Sequence, residues 1–457
     1  MSTESLWQKM TEIHKKQNEK EKTVDTILLH ENYSINEKGH FAINGHDTAE
    51  LAEKFGTPLY VIDEDKVRKM CRTYKNAVSK HFENSDILYA SKALSFKGMY
   101  RIAKEEGMCV DAVSAGEIYT AISAGFPSDR IFYHGNNKMK EDIEFAIENE
   151  VGCFVADNCE ELDFINNAAE KKGTVQKVLL RITPGIDPHT HAKIATGNVD
   201  SKFGEAIETG QALDFVKHAL SKKNLELDGI HCHVGSQSFD PQPFIDACEI
   251  MTKFAKEIKD KTGYEIKVLD LGGGFGVRYL PEQENLDIEW MIDEIAKTIK
   301  KTCKDNGLNL PKIMFEPGRS LVAASGITLY TVGHVKEIKG YKNYIPVNGG
   351  MTDNPRYALY EAPYYCLIAN KANEKMNYHA DVVGSCCESG DVIQPDVDIQ
   401  KAQYGDILAV CVTGAYNYSM SSNYNRFLKP ALVLVSKDKA EIAVKRETFE
   451  DLTRNDI

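Results

Sequence analysis

Lys92, in "LYASKALS", directly follows a run that reads as a buried strand. An ammonium there is costly unless it is paired or chemically used. Two uses stand open: a structural ion pair with Asp111 or Glu316, or a covalent bond to an aldehyde, for which a lysine of lowered pKa is suited. A second feature is the run Gly272, Gly273 and Gly274 in "LDLGGGFG", a backbone nest whose N–H groups can approach an anion. "FEPGR" places a carboxylate, Glu316, three residues before a guanidinium, Arg319. "HCHVG" puts His231 and His233 on one strand face, where they could bind zinc. No third and fourth ligand spacing accompanies them, so no metal is assigned, and His231 reads as a hydrogen-bonded core histidine.

These residues need a scaffold that brings them together. From about Asp86 onward, short apolar runs alternate with stretches of helical period such as "GEIYTAISAGF" and "FIDACEIMTKFAKEIKDKT". Eight strands are read in "DILYASKA", "MCVDAVS", "RIFYHG", "VGCFVAD", "VLLRITP", "LDGIHCHVG", "VLDLGGG" and "KIMFEPG". Eight βα units imply a (β/α)8 TIM-type barrel, an α/β fold whose active groups gather at the C-terminal strand ends. The unusual polar residues follow that rule: Lys92, Asp111 and Ser114, His134, Arg181, His231 and His233, the glycine run, then Glu316 and Arg319. The loops after strands seven and eight are the usual phosphate site of such barrels.

A lysine, a phosphate site and an acid at one barrel mouth suit pyridoxal 5'-phosphate. Lys92 would bond its aldehyde, Glu316 would keep its pyridine nitrogen protonated, and His233 would stack on the ring. Asp111 and Arg181 read either as cofactor contacts or as plain structural pairs.

Past Ser320 the pattern changes to short strands with turn signals, as in "GITLYTVGHVKEIKG", "YHADVVGSCCESGDVI", "GDILAVCV" and "ALVLVS". A C-terminal β-sandwich or β-barrel domain is expected, joined by a strand from before the barrel, where "ING" also suggests a hairpin. The expected division is 1–25, a polar extension; 26–65, contributing to the β domain; 66–323, the barrel; and 324–457, the β domain. Hydrophobic residues make up 42% and charged residues 27% of the 457, and no apolar stretch reaches the roughly 18 residues of a membrane span. A net charge of −13 argues against non-specific nucleic-acid binding. Eleven cysteines without CxxC spacing and a polar N-terminus lead to the expectation of a reducing cytoplasm.

The motifs "YASKALS", "DAVSAGE", "HGNNK", "RITPGIDPHTHAKIATGNVDSKFG", "HCHVGSQ", "LDLGGGFG", "EPGRSLVA", "VVGSCCESGD" and "GAYNYSMSSNYN" closely resemble the diaminopimelate decarboxylase family, within the alanine-racemase-fold pyridoxal-phosphate decarboxylases. The earlier motifs are shared with ornithine and arginine decarboxylases of this fold. They specify the cofactor more than the substrate.

The resemblance implies that Lys92 carries the cofactor, that Glu316 meets the pyridine nitrogen and that His233 stacks on the ring. It places phosphate contacts at Ser236, Gly272, Gly273, Gly274, the loop Glu316, Pro317, Gly318 and Arg319, and Tyr416. It assigns substrate contacts to Arg319, Arg356, Tyr360, Glu388 and Tyr416, and the proton donor to Cys387. In the family the "CESGD" loop comes from a second subunit, so a homodimer with composite sites is expected. Spacing alone leaves Cys386 and Cys387 ambiguous; the following "ESGD" favours Cys387.

The implied activity is decarboxylation of meso-2,6-diaminopimelate to L-lysine and carbon dioxide. The chemistry of the residues agrees. A substrate whose distal end is itself an amino acid needs cations for its carboxylate, Arg319 and Arg356, and an acceptor for its ammonium, Glu388. Asn348, Arg278 and Tyr357 depart from the family pattern, which leaves open a related decarboxylase acting on a D-configured, ornithine-like, arginine-like or carrier-linked amino acid. A catalytically silent pyridoxal-phosphate-binding relative and a racemase of the same fold also stay open.

Overall fold

The computed structural model describes residues 28–186 and 200–457. The polar extension 1–25 and residues 187–199, within "RITPGIDPHTHAKIATGNVDSKFG", lie outside the described residues. Eight parallel strands close a barrel: β1 (Ser85–Ala90), β2 (Cys109–Ala112), β3 (Ile131–Tyr133), β4 (Cys153–Ala156), β5 (Gln176–Thr183), β6 (Leu225–His231), β7 (Val268–Asp270) and β8 (Lys312–Phe315). Each pairs with the next in chain order, and β8 pairs back onto β1. Helices cover the outside. In Ile288–Asp305, for example, Asp287 caps the start and Ile288, Met291, Ile292, Ile295, Ala296 and Ile299 form the buried stripe.

The strands are apolar on both faces, as parallel strands sealed between a packed interior and outer helices must be. Leu88, Cys109, Cys153, Val155, Leu179, Val268 and Met314 pack together as the barrel's inner cluster, with Phe132 against it. Their neighbours Tyr89, Val110 and Ile131 belong to the outer core under the helices. Strand side chains alternate with period two. The next inward position after this apolar layer is therefore Asp111, His134, Asp157, Arg181, Asp270 and Glu316, and one further step along β1 past Ala90 is Lys92. The apolar layer floors the barrel, and the polar layer opens at its C-terminal mouth.

The C-terminal part is sheet-rich, as expected. Its six-stranded sheet runs Cys366–Ile368, Ile407–Cys411, Gly326–Thr331, Leu59–Asp63, Ala431–Ser436 and Lys439–Val444. The strand from before the barrel thus sits near the sheet's centre, antiparallel to Gly326–Thr331 and parallel to Ala431–Ser436. A four-stranded sheet holds Lys336–Ile338, Lys342–Pro346, Tyr378–Val383 and Val392–Ile399. The "ING" hairpin forms, with Asn44 and Gly45 both at positive φ (48° and 79°), but in a separate three-stranded sheet of Tyr33–Ile35, Phe41–Ile43 and His46–Asp47. No helix among the described residues is long and apolar enough to cross a membrane.

Candidate active site

The turn Ser91–Ala93 lifts Lys92 out of β1. Two bonds fix that turn. Ser91 Oγ donates to Glu117 Oε2 at 2.8 Å, and Ala90 N donates to Pro317 O at 3.2 Å. Gly318 permits the second approach, because a Cβ there would lie 2.9 Å from Ala90 Cβ. The Lys92 side chain is exposed, though protein packs around it closely enough to act on its charge, and its Nζ has no hydrogen-bond or ion-pair partner among the described residues. The expected lowering of its pKa is not what the surroundings produce. Burial pulls it down, but Asp111 foremost, then Tyr416 and Glu316, outweigh burial and hold it above the ordinary lysine value.

Beneath it, three buried carboxylates converge from β2, β7 and β8: Asp111, Asp270 and Glu316. They are not shifted in the same direction. Burial, then repulsion by Glu316, pushes both Asp111 and Asp270 well above the usual range. Burial opposes ionisation of Glu316 as well, yet His134 and His231 overcome it and hold its carboxyl well below. His231 Nε2 donates to Glu316 Oε2 at 3.1 Å; His134 Nε2 lies 2.8 Å from Oε1 but off hydrogen-bond alignment. Burial lowers the pKa of both imidazoles in turn, that of His134 to about 4. His231 is the core histidine the sequence suggested, here with the carboxylate as its partner. The zinc pairing considered for His231 and His233 is replaced by a different grouping, in which His134, His231 and Glu316 place ligand atoms within 4.8 Å of one another.

His233 leaves β6 toward the glycine loop, where its Nδ1 accepts from Gly273 N at 3.2 Å. That bond requires a neutral ring, and burial, then Lys92, lowers its pKa well below normal. The loop is tight. A Cβ at Gly273 would meet Glu316 O at 2.1 Å, and one at Gly274, whose φ is +120°, would meet Gly235 O at 2.4 Å. Gly272 N donates to Asp270 Oδ1 at 2.9 Å, so of the three expected anion donors only the Gly274 N–H has no partner among the described residues.

Two arginines gather around Tyr416. Arg319 and Arg356 are only 9% and 7% exposed, and neither pairs with a carboxylate among the described residues. Arg319 donates to Tyr279 Oη (3.1 Å) and Ser236 Oγ (3.0 Å). Its guanidinium lies 4.9 Å from the ring centroid of Tyr416; that of Arg356 lies 5.2 Å from the same ring and 4.6 Å from Tyr360. Tyr416 N donates to Ala93 O at 2.8 Å, which anchors this cationic cluster to the Lys92 turn. Arg181 is displaced from these groups, with its guanidinium 4.3 Å over the Phe203 ring and Asp157 as its main opposing charge.

The two cysteines of "SCCESGD" differ sharply. Cys386 is buried, its N–H on Asp391, and burial, then Asp391, pushes its thiol up to about 12. Cys387 is exposed, held by its N–H to Asn425 Oδ1 at 2.8 Å, and Glu388 beside it is exposed too. No described hydrogen bond, ion pair or ring contact joins either to Lys92, Glu316 or Arg319 of the same chain. The unusual residues lie aside: Asn348 binds Thr331 N and Thr57, Arg278 binds Leu280 O and Pro281 O, and Tyr357 follows Arg356 on a short helix. Sequence reasoning gave no role to Asp270 and Asp391, and none in the site to His134. His134 was placed at the barrel mouth without a role, and period two would also have found Asp270, two residues beyond Val268; Asp391 carries no such signal.

The arrangement offers an amine within reach of the charges of Asp111 and Glu316, a flat imidazole, a loop stripped of side chains for an anion, and two buried cations with no carboxylate partner among the described residues. The donor set fits pyridoxal phosphate. The family model for the pyridoxal binding domain of pyridoxal-dependent decarboxylases matches residues 64–323. The diaminopimelate decarboxylase of Bacillus subtilis (strain 168) is 44% identical over 431 residues, 94% of this chain and 98% of that protein; the Bacillus methanolicus enzyme is 45% identical, over 92% and 98%. Among solved structures, diaminopimelate decarboxylase from M. jannaschii in complex with L-lysine superposes with a TM-score of 0.87 at 36% identity, covering 93% of this chain and 98% of that one. The Helicobacter pylori enzyme, also with L-lysine, gives 0.81 at 32% identity, over 89% and 98%. The chain belongs to the diaminopimelate decarboxylase family of pyridoxal-dependent decarboxylases.

Proposed function

We propose that the protein converts meso-2,6-diaminopimelate to L-lysine and carbon dioxide, as a homodimer whose sites are completed across the subunit interface. The observation that carries this is the pair Arg319 and Arg356, buried without a carboxylate and meeting on Tyr416. Buried cations demand a counter-charge. A substrate carboxylate distal to the reacting carbon supplies it, whereas the bare ammonium of lysine or ornithine would be repelled.

Pyridoxal phosphate, bound through Lys92, would accept the electron pair left when carbon dioxide departs. Glu316 would hold its pyridine nitrogen, His233 its face, and Ser236, Gly272 to Gly274, Pro317, Gly318, Arg319 and Tyr416 its phosphate side, with Asp111 and Arg181 flanking. His134 and His231 draw the Glu316 carboxyl well below the usual range, and the His231 bond orients it. Arg319, Arg356, Tyr360 and Tyr416 fix the distal carboxylate. The partner subunit's Glu388 accepts the distal ammonium, and a proton passes from Sγ of the partner subunit's Cys387 to the carbon that lost its carboxylate. The exposure of Cys387 and Glu388 supports that lending of a loop. Of the two thiols, Cys386 is turned inward and Cys387 is available. The division 26–65, 66–323 and 324–457 is supported by barrel strands confined to Ser85–Phe315 and by the family match over 64–323. Eleven unpaired cysteines support a cytoplasmic setting. Carbon dioxide release from meso-diaminopimelate, measured beside lysine, ornithine and arginine, tests the reading; absence of release from the first alone would overturn it.

A further inference from the structure

Between the loop that carries Arg356 and the loop that carries Cys387 and Glu388 lies a carboxylate with no role so far. Asp391 is 4% exposed. Its Oδ1 accepts from Met351 N at 2.6 Å, and its Oδ2 accepts from Cys386 N at 2.6 Å. No cation pairs with it among the described residues; burial pushes its carboxyl above the usual range, and the two backbone N–H bonds, one from each loop, work against that. Glycines make the approach possible. A Cβ at Gly350 would lie 2.5 Å from Oδ1, and one at Gly384 would lie 2.2 Å from Oδ2. Around the carboxylate the loops are stitched by Ser385 N to Gly349 O (2.8 Å) and Gly384 N to Asp391 O (2.9 Å). Met351 is five residues before Arg356, and the connecting turn is tied down by Asp353, whose Oδ1 accepts from Gly350 N and Thr352 Oγ1, both at 3.0 Å. Cys386 adjoins Cys387.

We propose that Asp391 is a positioning residue that clasps these two loops, so that a chain's own Arg356 and the Cys387–Glu388 pair it lends to its partner are set by one carboxylate. This rests on the composite-site reading above. A site in the dimer then depends on two clasps: its own chain's for distal-carboxylate binding and the partner's for protonation.

The test is Asp391→Asn, whose amide nitrogen faces one of the two N–H donors, with retention of the visible absorption band of the bound cofactor as the check that the site assembles. Hydrogen exchange should rise about tenfold or more in both 349–356 and 384–391. Turnover should show raised KM and lowered kcat together. Mixed dimers give the second reading. Arg356→Ala mixed with Cys387→Ala should recover about a quarter of wild-type activity, from the one intact site in each mixed dimer; Asp391→Asn mixed with either should recover far less. Recovery of that quarter with either partner, or faster exchange in only one loop, overturns the clasp. If Arg356→Ala and Cys387→Ala fail to complement, the composite site is wrong, and exchange in both loops still decides the clasp for or against. Should Asp391→Asn not fold, Gly384→Ala, which presses a methyl onto Oδ2, carries the same measurements.

Discussion

Replacing Arg356 with methionine separates what that residue does for binding from what it does for the fold. The guanidinium is 7% exposed, stacked 4.6 Å from the Tyr360 centroid and 5.2 Å from Tyr416, with its Nε unpartnered. A carboxylate about 4 Å away at an effective dielectric of about 20 gains about 4 kcal/mol from such a cation. Methionine keeps most of the apolar stem and loses that attraction, so kcat/KM for meso-diaminopimelate should fall about a thousandfold. Most of the loss belongs in KM, because the contact forms before and during the chemistry alike. Lysine lacks the distal carboxylate, and its poor kcat/KM should stay level or improve as one repelling charge leaves. The folded state has no carboxylate to orphan, so melting should be unchanged or shifted upward by about 1 kcal/mol of stability. Steady-state release of carbon dioxide from both substrates, with thermal melts alongside, reads all three effects. A fall of less than about tenfold in kcat/KM for meso-diaminopimelate would refute the assignment of the distal carboxylate to this cation.

The remaining expectations follow the site's ionisation pattern. His134, fully buried, is lowered from 6.5 to about 4, so the unfolded chain binds the extra proton between those values. The contribution is complete above pH 6.5 and is lost as pH falls through the window to 4, about 3 kcal/mol in all; denaturant melts of wild type and His134→Gln across that range should converge at the acid end. Cys387→Ala should lower kcat at least a hundredfold, on the order of a general-acid contribution, while Cys386→Ala should leave turnover within about threefold and cost only stability. Equal losses in the two variants would remove the distinction between the exposed and the buried thiol. Lys92→Ala should abolish the visible band of covalently held cofactor, and its persistence would remove Lys92 as the anchor.

Much of the barrel was readable because its signal is periodic. Leu88, Cys109, Leu179, Val268 and Met314 face inward, and the polar residues two positions later had to share the mouth. Pairing across strands is what periodicity cannot state. That Glu316 is pulled below the usual carboxylate range while Asp111 and Asp270 are pushed above it depends on His134 and His231 arriving from β3 and β6. The direction of the Lys92 shift failed for a related reason: an ion pair with Asp111 or Glu316 was one of two readings of this lysine, and the sequence could not weigh their charge against burial. Loops were less legible still. Cys386 and Cys387 are neighbours of identical type, and only the fold turns one toward Asp391 and the other outward.

The site is polarised, and the polarity accounts for the order of its parts. Its acidic wall is Glu316 with His134 and His231; its cationic wall is Arg319 and Arg356, which pair with no carboxylate among the described residues. The Tyr416 N to Ala93 O bond ties the cationic wall to the Lys92 turn. A substrate with a carboxylate at each end can satisfy the cations only with the end that does not react, which leaves the other beside Lys92. On the proposed reading, selection of the molecule and selection of the carboxylate that is lost are therefore one electrostatic decision. Reversing it would require moving charge between walls: an Arg356→Glu variant should bind a distal ammonium through the same pocket, and gain of turnover on lysine relative to meso-diaminopimelate would be its signature, while unchanged preference would mean that the walls do not set substrate orientation.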